Sequence, residues 1–425
     1  MINVARVLEY YFLTFLIVLS SCNKKDDELL IFRIEHPSTM ALSMPVKIDV
    51  NDIYFENFDK NVMLVKNKEN DEGEVKVDFQ IDSLNGKNLW FIHSLSESKS
   101  NDWIYSLKKK NAFPVTKNLK YLKKDGDLTI FQDGKPIINY RYGMTYPSEG
   151  VDSLFKKSGY VHPLWSPSGD TLTRIQPIDH PHHYGIWGPW TKTKINDRNV
   201  DFWNLGEGEG TVEFEKFNSI VSGPVYTTME SRQNHIDFQA LEENRIAIIE
   251  NLKIQVWNLS DTSNQYLIDY SSAIKTPLDS GIVLEAYRYG GGISFRATKK
   301  WNTDNSAIIT SERKNRYSAD NSEARWCIVS GSSSSAQGSS GILFMSHPNN
   351  RAHPEPIRVW PPDWYDGISN MFFQFSPIKN NDWVIVKDKV HLLKYRMLIF
   401  DGKMTEKMAE AAWKAFACDP IIELL

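Results

Sequence analysis

The sequence predicts an all-β protein, with a small antiparallel β domain followed by a large antiparallel β-sandwich and a short C-terminal helix. Short runs that alternate apolar and polar residues recur along the chain, as in VKVDFQI and VKIDV. Gly, Pro, Asn and Asp separate these runs, as they do in turns. Only TEKMAEAAWKAFA near the C-terminus has helical spacing. No repeat of about 20–50 residues is visible, which argues against a propeller.

The N-terminal segment predicts export and lipidation. Arg6 is followed by YYFLTFLIVL, a run about as long as a signal-peptide core and shorter than a membrane span. The sequence LSSC then resembles a bacterial lipobox, in which Cys22 becomes the lipid-bearing first residue. We expect residues 1–21 to be a lipoprotein signal peptide and residues 22–28 a polar tether; an ordinary cleaved signal is the alternative. The expected location is the bacterial cell envelope, periplasmic or outer-membrane-associated, with membrane contact through the lipid anchor only.

Two domains are predicted after the tether. Residues 29–115 contain β-rich runs such as LLIFRIEH and NLWFIHSL, which form the small β domain. A lysine-rich stretch marks the junction near residue 115, and residues 116–425 form the large sandwich. Within that domain DLTIFQDGKPIINYRYG predicts a hairpin whose turn is Asp133-Gly134.

The C-terminal helix is predicted from its cap and its apolar face. Thr405 is the expected N-cap, and Pro420 follows the predicted end. Met408, Ala412 and Phe416 fall on one face of the helix.

Composition excludes several classes of protein. A net charge of −4, with no basic stripe of interleaved aromatics, argues against a nucleic-acid partner. No CxxC pair exists, which argues against a thiolate zinc site. Cys327 and Cys418 could form a disulfide in an oxidising compartment, but nothing in the sequence requires it.

The segment from about residue 121 to the C-terminus resembles the bacterial family labelled methane oxygenase PmoA-like. The matching stretches occur in family order: YVHPLWSPSGDTLT (160–173), DHPHHYGIW (179–187), VDFWNLGEG (200–208), YRYGGGISFR (287–296), ARWCIVSG (324–331) and MSHPNNRAHPEPIRV (345–359). The label itself does not fit a membrane methane-oxidising subunit, because no apolar span of about 20 residues follows the signal. The resemblance implies a β-sandwich akin to the mutarotase-like sandwiches that bind sugars, in exported proteins associated with carbohydrate breakdown.

The stretch IDHPHHYGIWGPW concentrates residues that can carry protons. We predict His180, His182, His183 and Tyr184 as catalytic residues. In an extended segment His180 and His182 would point to one side of the backbone, and Asp179 and His183 to the other. A packed corner rich in imidazole is the structural alternative.

No cofactor is predicted, although a divalent metal remains an alternative. The i, i+4 spacing of helical zinc motifs is absent. Two histidines on one strand face could still bind a metal if a third ligand came from elsewhere.

Five further residues are predicted to bind substrate. Arg288 and Arg325 each offer a planar fork that matches a carboxylate or sulfate. Trp187 offers a flat face for a sugar ring. His162 and His347 each precede a proline. The structural alternative is a rigid loop anchor for the two histidines, a solvated strand arginine for Arg288, and burial with a partner carboxylate for Arg325.

These residues favour an elimination reaction over ordinary hydrolysis. Glycoside hydrolysis needs two carboxylates at a set separation, and the sequence offers no obvious pair. β-Elimination from a uronic acid needs a base, an acid and a group that neutralises the carboxylate. The expectation is a carbon–oxygen lyase acting on an anionic oligosaccharide, with dehydration of the non-reducing-end uronate favoured over chain cleavage. A non-catalytic glycan-binding lipoprotein, in which Trp187, Trp190 and Trp203 form a platform, is one alternative; a glycoside hydrolase or epimerase is the other.

Overall fold

A computed structural model confirms the predicted fold class, because it is almost entirely antiparallel β. It describes residues 27–35, 43–55, 57–68, 73–82, 88–94, 103–110, 119–259, 264–364 and 370–425. The predicted signal peptide, the lipidation site Cys22 and most of the tether lie outside these residues. No helix in the described chain has the length and apolarity needed to cross a membrane.

The first strands and a short helix form the N-terminal unit, in the following order. They are β1 (Glu28–Glu35), β2 (Ser43–Asp49), α1 (Phe58–Asn61), β3 (Val62–Lys68), β4 (Val75–Val77), β5 (Phe79–Ile81), β6 (Asn88–Ser94) and β7 (Trp103–Lys109).

The remaining elements belong mainly to the large sandwich. They are β8 (Leu119–Lys124), β9 (Asp127–Gln132), β10 (Lys135–Arg141), β11 (Tyr160–Leu164), β12 (Ile186–Trp187), β13 (Thr193–Ile195), β14 (Arg198–Val200), β15 (Gly210–Ser222), β16 (Tyr226–Asp237), β17 (Ile246–Trp257), β18 (Gln265–Lys275), β19 (Ile282–Leu284), β20 (Ile293–Arg296), β21 (Ser306–Thr310), β22 (Glu323–Ala324), β23 (Trp326–Ser332), β24 (Ser339–Ser346), β25 (Glu355–Val359), β26 (Phe372–Phe375), β27 (Trp383–Ile385), β28 (His391–Asp401), α2 (Glu406–Ala417) and β29 (Ile421–Leu424).

The N-terminal unit is a small two-sheet sandwich. A five-stranded sheet, in the order β29-β1-β7-β3-β4, packs on a three-stranded sheet in the order β2-β6-β5. Phe32 and Leu107 of the first sheet share a core with Val46 and Phe91 of the second. The strand β29 pairs antiparallel with β1 and returns the C-terminus to this unit. The C-terminal strand therefore pairs with the N-terminal unit rather than with the large sheets, and the bounds of the sandwich domain, residues 116–425, stay a prediction.

The large unit is a sandwich of two antiparallel sheets. One has nine strands in the order β22-β25-β26-β20-β12-β11-β10-β9-β8, and the other has eight in the order β15-β16-β17-β18-β28-β24-β23-β21. Their facing side chains, such as Phe295, Phe373, Phe344 and Ile399, form one continuous core. A four-stranded sheet in the order β14-β13-β19-β27 contributes to the same core.

Two local predictions are confirmed by backbone geometry. Asp133 and Gly134 both have positive φ, 50° and 78°, as the two-residue turn between β9 and β10 requires. The Thr405 side chain accepts a hydrogen bond from the Met408 backbone N–H (3.2 Å), so it caps α2 as predicted. The helix packs its apolar face on the outer side of the eight-stranded sheet.

The two mature-domain cysteines are free thiols. Cys327 on β23 is buried in the core between the large sheets, whereas Cys418 is exposed just after α2. The eight-stranded sheet lies between them, so the disulfide that the sequence left open does not form in this structure.

The outward face of the nine-stranded sheet is polar at its centre. Strand register aligns Trp187 with Ser294, Ser294 with Gln374, and Gln374 with Arg358, across four neighbouring strands. All four side chains are buried, and each has one polar atom with no hydrogen-bond partner among the described residues. Buried polar atoms normally have hydrogen-bond partners, so this outward face is a candidate binding surface.

Candidate active site

The histidine-rich stretch folds as two consecutive turns over the outward face of the nine-stranded sheet. The His180 N–H donates to the Pro177 carbonyl (2.9 Å), and the His183 N–H donates to the His180 carbonyl (3.0 Å). Pro181 is the second residue of the latter turn, where its fixed φ is favoured. The expected extended segment is therefore wrong. The turns bring all three imidazoles together, with ring centroids 4.7–5.5 Å apart.

Asp179 links this cluster to a buried arginine. One carboxylate oxygen of Asp179 accepts hydrogen bonds from His180 Nδ1 (2.9 Å) and from an Arg296 Nη (2.7 Å). Burial raises the pKa of the Asp179 carboxyl, but its bonds to His180 and Arg296 outweigh burial and hold the pKa well below its usual range. Asp179 therefore stays ionised and fixes the orientation of His180.

His183 lies inside an aromatic shell. Its side chain is 1% exposed, stacks on Trp203 and also contacts Trp187 and Phe372. Burial, reinforced by the neighbouring His182 and Arg296, lowers the pKa of His183 well below its usual value. His183 is thus neutral and packed inside the aromatic shell, with its Nδ1 3.4 Å from an Arg296 Nη, and its catalytic role stays a prediction.

His182 and His180 are the more accessible members of the cluster. Burial, with the charges of His180 and Arg296, lowers the pKa of His182 to about 3, so its imidazole is neutral near pH 7. The His180 side chain is 17% exposed and its ring lies 4.7 Å from the Trp360 ring. Of the three histidines, His180 combines access with an orienting carboxylate.

The Tyr289 hydroxyl contacts the Trp360 indole, which His180 also contacts. Tyr289 Oη accepts hydrogen bonds from Trp360 Nε1 (3.1 Å) and from an Arg358 Nη (3.2 Å). Arg358 in turn is paired with Asp320. The Tyr289 ring packs against Trp203 (5.0 Å), so it belongs to the same aromatic cluster as the histidines. Among the described residues no group accepts the Tyr289 hydroxyl proton, which leaves that proton available for donation.

Glycines allow this packing. Gly291 has φ +71°, and a Cβ there would lie 2.0 Å from the Trp190 ring. Gly185 has φ +62°, and a Cβ there would lie 2.1 Å from the Val161 carbonyl oxygen. Both conformations favour glycine, so the backbone at these two positions of HYGIW and YGGG requires glycine.

The structure argues against a catalytic Tyr184. Its side chain is buried, its hydroxyl donates to the Phe155 carbonyl, and the hydroxyl accepts from the Gln176 amide (2.6 Å). Burial also raises the pKa of Tyr184 above its usual value. Both hydrogen-bonding roles of the hydroxyl are filled, so Tyr184 anchors the loop.

His162 lies on a neighbouring strand without touching the cluster. Its Nδ1 is 2.9 Å from the Thr173 hydroxyl, and the described contacts do not connect it to the three imidazoles. Burial, with the charge of Arg141, lowers the pKa of His162 to about 4. The predicted substrate contact is replaced by a structural hydrogen bond.

Arg325 and His347 lie on the other side of the sandwich, beside α2. Arg325 forms ion pairs with Glu312 (3.1 Å) and Glu410 (3.2 Å), and His347 packs on Phe416. The structure does not bring Arg325 and His347 together with the histidines, because Glu410 and Phe416 belong to the helix that packs on the outer face of the eight-stranded sheet. Their roles in substrate binding stay predictions.

The three tryptophans of the alternative glycan-binding platform are packed in the interior rather than exposed. Trp187, Trp190 and Trp203 are all buried, which contradicts the exposed aromatic surface that a glycan-binding module would need. Arg288 is exposed with its guanidinium 5.3 Å from the Tyr289 ring, so it lies at the edge of the cluster as its predicted role requires.

The sequence analysis missed Arg296, Tyr289, Trp360 and Arg358 as site residues. Arg296, Tyr289 and Arg358 lie in the matching stretches YRYGGGISFR and MSHPNNRAHPEPIRV, and Trp360 directly follows the second. The missing signal was strand register, since alternation alone shows which residues share a face but not which strands are neighbours.

Metal binding has no arranged ligand set among the described residues. No group of three or more His, Cys, Asp or Glu side chains there could hold a metal ion. His180, His182 and Asp179 are close, but Asp179 and His180 are already bonded to each other.

One family profile covers both the large sandwich and the candidate site. The family's sequence profile matches residues 127–414, most of the chain, so the protein belongs to the family of unknown function DUF6807. Its resemblance to the PmoA-like family stays a prediction. Among curated protein sequences there is no match.

Several solved structures share a distant likeness with the chain. One is the heparan sulfate lyase HepC from Pedobacter heparinus (TM-score 0.35, 9% identity, 70% of this chain and 38% of that chain covered). Another is the GH36 α-galactosidase AgaA from Geobacillus stearothermophilus (TM-score 0.33, 10% identity, 67% and 41% covered). A third is the α-galactosidase from Lactobacillus brevis (TM-score 0.34, 10% identity, 71% and 42% covered). The chain spans less than half the length of each of these proteins.

Proposed function

We propose that the protein is a carbohydrate-active carbon–oxygen lyase that removes a proton and an oxygen substituent from an anionic saccharide by β-elimination. The observation that carries the proposal is the placement of His180 and Tyr289 around one side chain. The His180 ring lies against Trp360, and the Tyr289 hydroxyl accepts a hydrogen bond from the Nε1 of the same indole. Elimination needs a base and an acid within hydrogen-bond reach of the reacting substrate atoms, and His180 and Tyr289 are the proposed pair.

His180 is the proposed base. Its Nδ1 is hydrogen-bonded to the ionised Asp179, which favours the tautomer with the proton on Nδ1. Nε2 is then the proton acceptor. Asp179 also stabilises the imidazolium that forms, as carboxylates do behind catalytic histidines.

Tyr289 is the proposed acid. The hydrogen bonds that its oxygen accepts from Arg358 and Trp360 stabilise the phenolate left behind when the proton departs. Arg358 is held in place by Asp320, so the donor geometry is fixed before substrate arrives.

The reaction balances in one elimination. His180 takes the proton from C5 of a uronate, the electrons of that bond form the C4–C5 double bond, and the C4–O bond breaks. Tyr289 gives its proton to the departing oxygen. The exposed Arg288 is the proposed partner of the substrate carboxylate, where negative charge builds in the transition state. A free hydroxyl at C4 leaves as water, and a glycosidic oxygen leaves as a shortened sugar chain.

Ordinary glycoside hydrolysis fits this cluster less well. Its mechanism needs one protonated and one ionised carboxyl group flanking the bond. The carboxylates described in the cluster are Asp179 and Asp320, and each is paired with an arginine. Neither is placed to serve as a protonated acid.

The test is a survey of uronate-containing oligosaccharides with the purified protein, read by ultraviolet absorbance and product mass. Dehydration gives an absorbing product of unchanged chain length that has lost one water. Chain cleavage gives one absorbing and one ordinary fragment. Saturated fragments would instead indicate hydrolysis, and binding without any product would indicate a glycan-binding protein.

A further inference from the structure

A second cleft lies away from the histidine cluster, between the N-terminal unit and the outer face of the eight-stranded sheet. Its cavity volume is about 530 Å³, within the range of about 300–1,000 Å³ typical of small-molecule sites. The C-terminal end of α2 and the residues just after it line one side of the cleft.

One wall of the cleft is a row of cations on the large sheet. Lys253 on β17 pairs with Ser271 on β18, and Ser271 pairs with Lys394 on β28. Cross-strand partners share a face, so the two lysines flank the serine hydroxyl with their Cα atoms roughly 10 Å apart. His347 lies beside Lys394, because its backbone N–H donates to the Lys394 carbonyl (3.2 Å).

The opposite wall comes from the N-terminal unit. Lys47 on β2 is the cross-strand partner of Trp90 on β6, and both line the cleft. Trp90 is half-buried and packs on Trp257 (5.3 Å). An apolar ring beside a cation offers a surface for a sugar ring that carries an anionic group.

The acidic residues of the cleft do not neutralise these cations. Asp269 is held by Arg396 through two hydrogen bonds (2.5 and 2.9 Å) and accepts a third from Trp257 Nε1 (3.0 Å). The remaining carboxylate, Asp419, is exposed. Among the described residues no carboxylate lies within ion-pair distance of Lys253 or Lys394.

His347 adds a donor to the same wall. Its Nδ1 accepts a hydrogen bond from the Asn349 backbone N–H (3.1 Å), which leaves the proton of the neutral ring on Nε2. The ring packs edge-on against Phe416 at the mouth of the cleft.

We propose that this cleft is a second binding site, which takes the carboxylate or sulfate group of an acidic saccharide between Lys253, Ser271 and Lys394. The choice of a saccharide rests on the proposed function, whereas the oxyanion site rests on the geometry of the cleft.

The experiment is calorimetric titration of the full-length protein with three probes: a tetragalacturonate, a sulfated chondroitin tetrasaccharide and neutral maltotetraose. The binding is repeated on a Lys253→Gln/Lys394→Gln double variant and on Asp179→Asn, which disables the histidine cluster only. A Lys135→Gln/Lys299→Gln double variant is the control, because it removes the same charge from exposed positions outside the cleft. Circular dichroism checks that each variant is folded.

The expected result is that an acidic probe binds, maltotetraose does not, and the cleft double variant weakens acidic binding at least about tenfold. The control and Asp179→Asn keep that binding, and added salt weakens it. The proposal is overturned if the cleft variant binds the acidic probes as tightly and in the same stoichiometry as the Lys135→Gln/Lys299→Gln control, or if neither acidic probe binds. Loss of turnover in Asp179→Asn with retained cleft binding separates this site from the proposed active site.

Discussion

A buried glutamate on β25 gives the protein a predictable loss of stability with rising pH. Glu355 is 0% exposed, and its oxygens accept hydrogen bonds from Ser346 (2.6 Å), Asn350 (2.8 Å) and Tyr395 (3.0 Å). Burial raises the pKa of Glu355 to about 7, and these three donors offset burial only in part.

The sign and size of the effect follow from that shift. The folded-state pKa lies above the ordinary value of 4.5, so the folded protein holds the proton more tightly than the unfolded chain. The stabilisation is complete below the unfolded pKa and is lost as pH rises through about 7. The shift corresponds to about 3 kcal/mol between pH 4 and pH 9.

The perturbation is Glu355→Gln, which keeps the shape and removes the titration. Chemical denaturation of the variant and the parent between pH 4 and pH 9 gives the difference in their free energies of unfolding, in which shared titrations cancel. We expect the parent to lose about 3 kcal/mol relative to the variant over this range. Glu323→Gln, at an exposed glutamate on β22, is the control. A Glu355→Gln difference that does not change with pH would refute the reasoning, because it would mean that the three donors offset burial completely.

Three further outcomes follow from the packing and the N-terminal sequence. His183→Ala should lower the free energy of unfolding by roughly 2–5 kcal/mol, because it empties a space inside the aromatic shell. His180→Ala, at a more accessible position, should cost less, and equal losses for the two variants would contradict the burial of His183. Tyr184→Phe should cost about 1–3 kcal/mol in thermal or chemical denaturation by leaving the Phe155 carbonyl unpaired, and should leave turnover unchanged; a selective loss of kcat would restore its catalytic role. Cys22→Ser should abolish lipidation and release the protein from membranes, as measured by membrane partitioning, and unchanged partitioning would exclude the lipid anchor.

Much of the fold could be predicted from the sequence because its signals are local. Alternation identified the strands, Asp133-Gly134 identified a hairpin, and Thr405 identified the start of the C-terminal helix. The return of β29 to the N-terminal sheet could not be predicted, since pairing between Ile421 and Glu35 depends on contacts between the two ends of the chain.

The candidate site was found through composition and missed in its geometry. The density of histidines pointed to the correct loop, but the extended reading of that loop failed because Pro181 favours a turn. Arg296 bonds Asp179 from 117 positions away along the chain, and Tyr289 accepts a bond from Trp360, 71 positions away, so local sequence signals do not reveal either contact. Arg325 and His347 looked similar in sequence and lie on the other face of the sandwich.

The proposed acid is the residue through which the central claim is tested most directly. The measurement is kcat of Tyr289→Phe on the uronate oligosaccharide that the parent converts, with Tyr287→Phe as the matched control on the same loop. The account predicts that Tyr289→Phe loses on the order of a hundred- to ten-thousand-fold in kcat with little change in KM, because the proton for the departing oxygen is gone. Tyr287→Phe should retain turnover. A Tyr289→Phe enzyme that is as fast as the Tyr287→Phe control would contradict the proposed elimination at this site.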